Sequence, residues 1–424
     1  MDESRAYAQA LDTQDELARF RAEFVITDSE TVYLDGNSLG RLPLRTAQVL
    51  HQLVEVEWGE RLIRGWNEGW MDLPSVLATR LASLLGAQPD EICFTDSTSV
   101  NVFKLAVAAL RARPGRRKIV SDALNFPSDL YVLQGIIDLL GQGHYLELVP
   151  SQDGLSIALE ELQQVISDDT ALVCLSHVVF KSAFLYDMPT VTRLAHESGA
   201  LILWDLSHSA GAVPIQLNAC QADLAVGCSY KYINGGPGAP GYLYVRRDLQ
   251  EQLVSPMWGW FADRRPFQFE LDFSPAPGSQ RYAVGTPPML SMKAIEPALD
   301  LLQAAGIERL RQESIQQTEY LISLAQAWLY PLGFTLGTPL QAHRRGSHVS
   351  LRHPEGYRIN RAMIDPQTSP LRVIPDFRSP DNIRLGIAPL YTTFEEIHSA
   401  LWRIRQIVAS GEYQRFSSKH LAVT

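Results

Sequence analysis

Short β-rich runs alternate with helical stretches through the middle of the chain, and this alternation restricts the fold more than any other feature. "EICFTD" (Glu91 to Asp96) precedes the helical "SVNVFKLAVAALRA". "RKIVSD" precedes "PSDLYVLQGIIDLL", and "ALVCLSH" precedes "DMPTVTRLAHES". "ALILWD", "ADLAVGCS" and "GYLYV" close the series. The runs carry little polar alternation, as strands buried on both faces do. The pattern predicts an α/β unit with a mostly parallel sheet. From about Pro297 the character changes to a long helical stretch, "SHVSLRH", a helical "YRINRAMI", the strands "RVIPDF" and "IRLGIA", and a last helix from about Thr393. That reads as an α+β unit. At 424 residues, two packed domains are expected. The division is 1–50 packing with the small domain, 51–296 as the large domain and 297–424 as the small domain.

Composition narrows the function classes. The formal net charge is −10, and no Lys/Arg cluster forms a stripe that could track phosphates, so a nucleic-acid partner is not expected. The four cysteines, Cys93, Cys174, Cys220 and Cys228, form no CxxC pair, so neither a structural metal site nor a dithiol motif is signalled. The N-terminal stretch is polar and helical in pattern, with no apolar signal region, and no long apolar span follows. A cytoplasmic protein with no membrane partner is the expectation.

In doubly wound sheets, ligands sit beyond the carboxyl ends of the strands. Five strand ends here carry polar or aromatic residues: Ser97-Thr98-Ser99, Asn125 to Asp129, Ser176-His177, Asp205 with Ser207 and His208, and Tyr230-Lys231. Each has an ordinary reading by itself. Ser97 to Ser99 suit a helix cap as well as an anion site. Asp205 could cap a helix, His208 could be a packed histidine, and most lysines lie on the surface. Lys231, however, is the one charge in "CSYKYINGGPGAPGYLYV", and the glycines after it let backbone approach a ligand closely. A desolvated lysine is a nucleophile. Together the set suits pyridoxal phosphate, which needs a Schiff-base lysine, a carboxylate at the pyridine nitrogen, a ring-stacking partner and a phosphate cradle. Lys231, Asp205, Phe126 and Thr98/Ser99 supply these.

At these residues the chain resembles the kynureninases. The likeness runs through "YLDGNSLGRLP", "WGERLIRGWN", "DSTSVNVFKL", "NFPSDLYV", "WDLSHSAGAVP" and "SYKYINGGPGAP" to "RGSHVSLRH" and "DFRSPDNIRLGIAPLY". It implies the aspartate-aminotransferase fold (fold type I), a large domain with a mostly parallel sheet and a smaller α+β domain. It implies pyridoxal phosphate on Lys231, Asp205 at the ring nitrogen and Phe126 against the ring. Thr98, Ser99, Asp129, Ser176 and His208 become further cofactor contacts, with Lys231, Asp205 and His208 as the catalytic set. Tyr230, Trp260 and Thr286 become phosphate contacts, the last two lent by a second subunit of a homodimer. Arg384, Asn37 and Trp66 fall on the substrate side, Arg384 for the α-carboxylate. No metal is implied. The implied reaction is hydrolytic Cβ–Cγ cleavage of L-kynurenine or 3-hydroxykynurenine to anthranilate or 3-hydroxyanthranilate and L-alanine, as in tryptophan catabolism by the kynurenine pathway.

Two stretches depart from the family pattern. Gly259-Trp260-Phe261-Ala262-Asp263 puts an acid where the family has histidine, and Val179-Phe180-Lys181-Ser182-Ala183 replaces an Asn-Tyr-Arg-Ser-Gly pattern. Lost polar groups on the substrate side point to drift or to a shifted substrate, such as a modified kynurenine or another γ-oxo amino acid. Transamination and β-elimination stay open as other reactions of the same cofactor. A cysteine desulfurase would need a late nucleophilic cysteine, and none follows Cys228. A non-catalytic metabolite binder would need no carboxylate clamp beside a Schiff-base lysine.

Overall fold

The computed structural model describes residues 1–419. Its centre is a seven-stranded sheet in the order Ile92–Phe94, Gly241–Val245, Leu224–Cys228, Leu201–Asp205, Thr170–Ser176, Lys118–Asp122, Tyr145–Val149. Only Gly241–Val245 runs against its neighbours. The inner strands are buried along their whole length, as their unbroken apolar runs require. Tyr145–Val149 is absent from the series read in the sequence. It is an edge strand, and of its five residues only Val149 is buried.

Two apolar cores sandwich this sheet. Leu105, Val107 and Ile136 belong to one face, on helices Thr98–Arg111 and Pro127–Leu140. Leu77, Leu81, Ile295 and Leu299 belong to the other, on helices Leu73–Leu85 and Met289–Ala305. A third core lies around a four-stranded antiparallel sheet, ordered Asp376–Arg378, Asn382–Gly386, His348–Arg352, Thr335–Leu336. The stretch read as "RVIPDF" is two strands. Pro375 has no N–H for a ladder, and the chain changes sheets there. Arg372–Ile374 pairs in parallel with Thr31–Tyr33 from the N-terminal segment.

The N-terminal helix Arg5–Gln14 packs along the last helix, Phe394–Ser410, and Asp12 accepts from the backbone N–H groups of Phe394 and Glu395 at 2.7 and 3.0 Å. That carboxylate therefore caps a helix nearly four hundred residues away in sequence. The long helical stretch breaks at Gly306, whose φ of 81° ends Met289–Ala305 and opens Ile307–Leu324. The division expected at 296/297 falls inside the first of these helices. The hand-over between cores comes within the second, where Leu310 packs in the large-sheet core and Tyr320 in the C-terminal one.

Candidate active site

The carboxyl ends of the parallel strands open into a cavity of about 780 Å³. Thr98, Ser99, Phe126, Asp129, Asp205 and Lys231 are on its wall. Ser176, His208, Tyr230 and Thr286 also line it. Ten positions from five strand ends and one loop therefore meet in one space, as the position of a ligand in an open α/β sheet demands.

Lys231 follows strand Leu224–Cys228 and reaches over the cavity floor. Its Nζ lies 3.0 Å from Nε2 of His208 and 5.9 Å from the centre of the Phe126 ring. Burial, reinforced by the positive charge of Lys231, drives the His208 imidazole well below its ordinary range. His208 is therefore neutral, and its Nε2 accepts from the lysine. Its Nδ1 is buried without a partner.

Asp205 ends the neighbouring strand. Its Oδ1 accepts from the Ser207 backbone N–H at 2.8 Å and from the Ser207 hydroxyl at 2.6 Å. Asp129, in the first turn of helix Pro127–Leu140, faces it within hydrogen-bonding reach. Burial raises both carboxyls, and the charge of Asp205 drives Asp129 well above the ordinary range. The hydrogen bonds from Ser207 and the charge of Lys231 favour the ionised form of Asp205. Of the two carboxyls, Asp129 is the more strongly raised.

Two helix N-termini converge at one end of the cavity. Ser97 caps Thr98–Arg111, and Phe126 precedes Pro127–Leu140. Ser99 Oγ and Ser128 Oγ, one from each helix, meet at 2.8 Å. Free N–H groups, hydroxyls and two positive dipole ends make an anion cradle. Gly241 packs directly under it: a Cβ there would meet Thr98 N at 3.0 Å and Gly227 O at 3.1 Å. The nearby Cys228 and burial push the Tyr230 hydroxyl up, so it stays a neutral donor. Ser176 donates to Asn125 Oδ1 at 2.6 Å, which fixes that strand end to the loop bearing Phe126.

Matches to known proteins agree with this geometry. Residues 76–356 match the family model described as aminotransferase class-V, and residues 310–404 match that of the kynureninase C-terminal domain. A kynureninase of Pseudomonas fluorescens is 43% identical over 404 residues, covering 94% of both chains. One from Burkholderia mallei is 41% identical over 410 residues, covering 96% of this chain and 95% of its own. The chain belongs to the kynureninase family. Among solved structures, the apo cysteine desulfurase of Thermococcus onnurineus NA1 superposes with a TM-score of 0.79 over 93% of this chain and 98% of its own, at 19% identity. The desulfurase CsdA of Escherichia coli gives 0.76 over 93% and 99%, at 17% identity. At such identities these two show the shared fold.

Pyridoxal phosphate is the cofactor of this family, and the residues present fit it. Asp205 offers a buried carboxyl group on the cavity wall, the helix ends offer an anion cradle, and Phe126 offers a ring face. Asp129 Oδ2, buried without a partner, is a polar atom that a ligand would satisfy.

Four sequence candidates stand off the wall of this chain's cavity. Arg384 is fully buried and held on all sides. Nη1 donates to Phe180 O at 2.6 Å, and Nη2 donates to Ser38 Oγ at 2.9 Å and to Asp376. The Asn37 amide oxygen, turned toward the guanidinium, accepts from Nε at 2.7 Å. Trp66 packs edge-on against Trp70 and tilts over Phe261. Trp260 is half exposed and packs among Phe261, Phe267 and Phe269 on the surface.

Sequence reasoning passed over several contributors. Ser128 lay inside a quoted motif but gained a role only when the second helix arrived beside the first. His348, whose ring lies 5.5 Å from that of His208, comes from the C-terminal sheet, and no local pattern points to it. The two departures also resolve physically. Phe180 packs edge-on against Phe126 with ring centres 5.2 Å apart, so an apolar ring backs the cofactor-stacking position. Lys181 turns away and donates to Ser379 O at 2.7 Å. Asp263 accepts from the backbone N–H groups of Arg265 and Ser274, both at 2.7 Å. It closes its own loop, a double-acceptor role that a histidine cannot fill.

Proposed function

We propose that the protein hydrolyses the Cβ–Cγ bond of L-kynurenine or its 3-hydroxy form, consuming water and releasing L-alanine with anthranilate or 3-hydroxyanthranilate. The observation that carries this is Lys231 set against neutral His208 in a cavity floored by Asp205, in a chain 43% identical to a kynureninase. Bound pyridoxal phosphate supplies an aldehyde for an amine and a ring that takes up electrons from the adjacent carbon.

The chain's residues divide the remaining work. With the cofactor bound, Lys231 Nζ would hold it, and once freed the same amine would take the substrate's Cα proton. His208 Nε2 orients that nitrogen. Asp205 would face the ring nitrogen of the bound cofactor, with Asp129 beside it. Thr98, Ser99 and Tyr230 hold the phosphate, with Ser128 joining them. Arg384 binds the α-carboxylate, exchanging one of its protein acceptors for a planar bidentate partner. Asn37 and Trp66 lie on the substrate side, and the apolar Phe126–Phe180 pair offers a flat surface for an aryl ring.

The assembly is a cytoplasmic homodimer in which Trp260 completes the partner's site. Its support is a cluster of exposed apolar residues, Trp258, Phe267, Phe269 and Leu271, around Trp260. All four cysteines are free, and no helix among the described residues is long and apolar enough to cross a membrane.

Lys231→Ala tests the core of the reading. The variant is expected to fold, to lose the visible absorbance of the bound cofactor and to release no alanine from kynurenine. Turnover at the unmutated rate would refute the assignment. A panel of kynurenine, 3-hydroxykynurenine and non-aromatic γ-oxo amino acids, read by alanine release, identifies the substrate.

A further inference from the structure

A second cavity, of about 950 Å³, lies between the large sheet and the C-terminal unit. Ile157, Phe184, Met188 and Val213 supply apolar walls, and the two arginines Arg311 and Arg344 come from the C-terminal side. Its volume falls within the range of about 300–1,000 Å³ common for small-molecule sites. Phe126, Lys231 and Arg384 take no part in it.

Three observations define what it suits. First, the arginines are cations without acids. Arg311 spends its Nη2 donors on the carbonyls of Ala342 and Arg345 at 2.6 and 2.8 Å, and Arg344 stacks over Phe184 at 5.3 Å. Among the described residues no carboxylate lies within ion-pair distance of either. Second, His177 lines the cavity, is 4% exposed, and its Nδ1 is buried without a partner. Third, the two acids on the wall, Asp187 and Glu160, form no ion pair with either arginine among the described residues. Asp187 accepts from Thr190 N–H at 3.3 Å and from its hydroxyl at 2.9 Å, and Glu160 belongs to the first turn of helix Leu159–Val165.

The connection to the active site is covalent and short. The segment from Val178 to Tyr186 runs from beside Phe126, a wall residue of the active-site cavity, to the second cavity. At one end Phe180 packs on Phe126 and its carbonyl accepts from Arg384. At the other, Phe184 and Tyr186 line the second cavity. Leu185 N–H donates to Arg344 O at 3.0 Å, and Gly346 N–H donates to Ala183 O at 2.8 Å, so the segment is stitched to the C-terminal unit along its length. Ala183 sits in the left-handed backbone region at a φ of 63°, its own N–H donating to Val179 O at 2.9 Å.

We infer that this second cavity is a regulatory site for a small apolar monocarboxylate, whose body lies on Phe184, Met188 and Val213 and whose carboxylate meets Arg344 and Arg311. Occupancy acts on Arg384 through the Val178–Tyr186 segment. The binding half is independent of the proposed reaction; the coupling half rests on it.

Cys220 provides a direct readout. It lines this cavity half-buried, while the other three thiols are buried. The holoenzyme is treated with N-ethylmaleimide, with and without benzoate, and modification of the Cys220 peptide is followed by mass. Benzoate is expected to slow modification at least about fivefold, and benzylamine, of the same shape but opposite charge, is expected not to. Arg344→Gln should lose the protection and Arg344→Lys should retain part of it. No protection by benzoate, or equal protection by benzylamine, overturns the site, and that comparison needs no variant. In turnover assays benzoate should change the KM for kynurenine at least about fivefold in the unmutated enzyme and not in Arg344→Gln. Protection without that difference overturns the coupling. Absence of any kynurenine turnover counts against the proposed function and leaves the protection result standing.

Discussion

At Arg384 a single guanidinium meets four acceptors from three parts of the chain: Asn37 and Ser38 Oγ, Phe180 O, and Asp376. Lysine could replace the charge but not the fork, so Arg384→Lys should leave the cofactor absorbance intact and raise the KM for kynurenine about a hundredfold. Steady-state kinetics beside the absorption spectrum separates the two effects, and an unchanged KM would remove Arg384 from the substrate side. Individual residues were legible in the sequence where the chemistry is local. Lys231, Asp205 and Thr98 each follow a strand of strong apolar character, so their position at a strand end could be read without a fold. Partners that meet only in three dimensions were not legible. His348 beside His208 and Asp376 beside Arg384 belong to a sheet formed by the far end of the chain, and nothing in their neighbouring residues marks them.

Elements show the same division, and two of them carry measurable consequences. Helix Ile307–Leu324 buries Glu313, whose Oε1 has no partner. Burial, with the charges of Asp15 and Asp12, lifts its carboxyl from an ordinary 4.5 to about 7. The folded value exceeds the unfolded one, so protonation favours the fold fully below about 4.5, and this support is lost as pH rises through about 7. Glu313→Gln should therefore stabilise the protein by about 2 kcal/mol at pH 8 and by little at pH 4, read from thermal unfolding at each pH. The strand Gly241–Val245 carries the other consequence. Its first residue supports the N-terminus of helix Thr98–Arg111, and an added methyl there would press on Thr98 N at 3.0 Å. Gly241→Ala should weaken pyridoxal phosphate binding at least about tenfold, measured by titration of the apoenzyme, because the anion cradle depends on that helix end. The buried strands were legible as elements because their apolar runs are unbroken. Tyr145–Val149 was not, because an edge strand has one wet side, and "RVIPDF" hid a change of sheet that only Pro375 could have signalled.

On the scale of the whole molecule, the two candidates Thr286 and Trp260, paired in the sequence reading, part company. Thr286 lines the cavity of its own chain, whereas Trp260 lies on the surface within an aromatic cluster. In the proposed homodimer a second copy would cover this exposed apolar cluster, and a two-fold axis would bring Trp260 toward the opposite site. The chain order carries no information about such an axis, which is why the sequence could suggest the shared site only through family resemblance. Mixing two inactive variants decides the matter. In a hybrid of Lys231→Ala with Trp260→Ala, the chain that keeps Lys231 receives an intact tryptophan from its partner. Subunits co-refolded in equal amounts should regain about one quarter of the unmutated activity, because half of the dimers are hybrids and each hybrid has one complete site. If Trp260 serves its own chain, every site in the mixture lacks one residue or the other, and the mixture stays as inactive as its components.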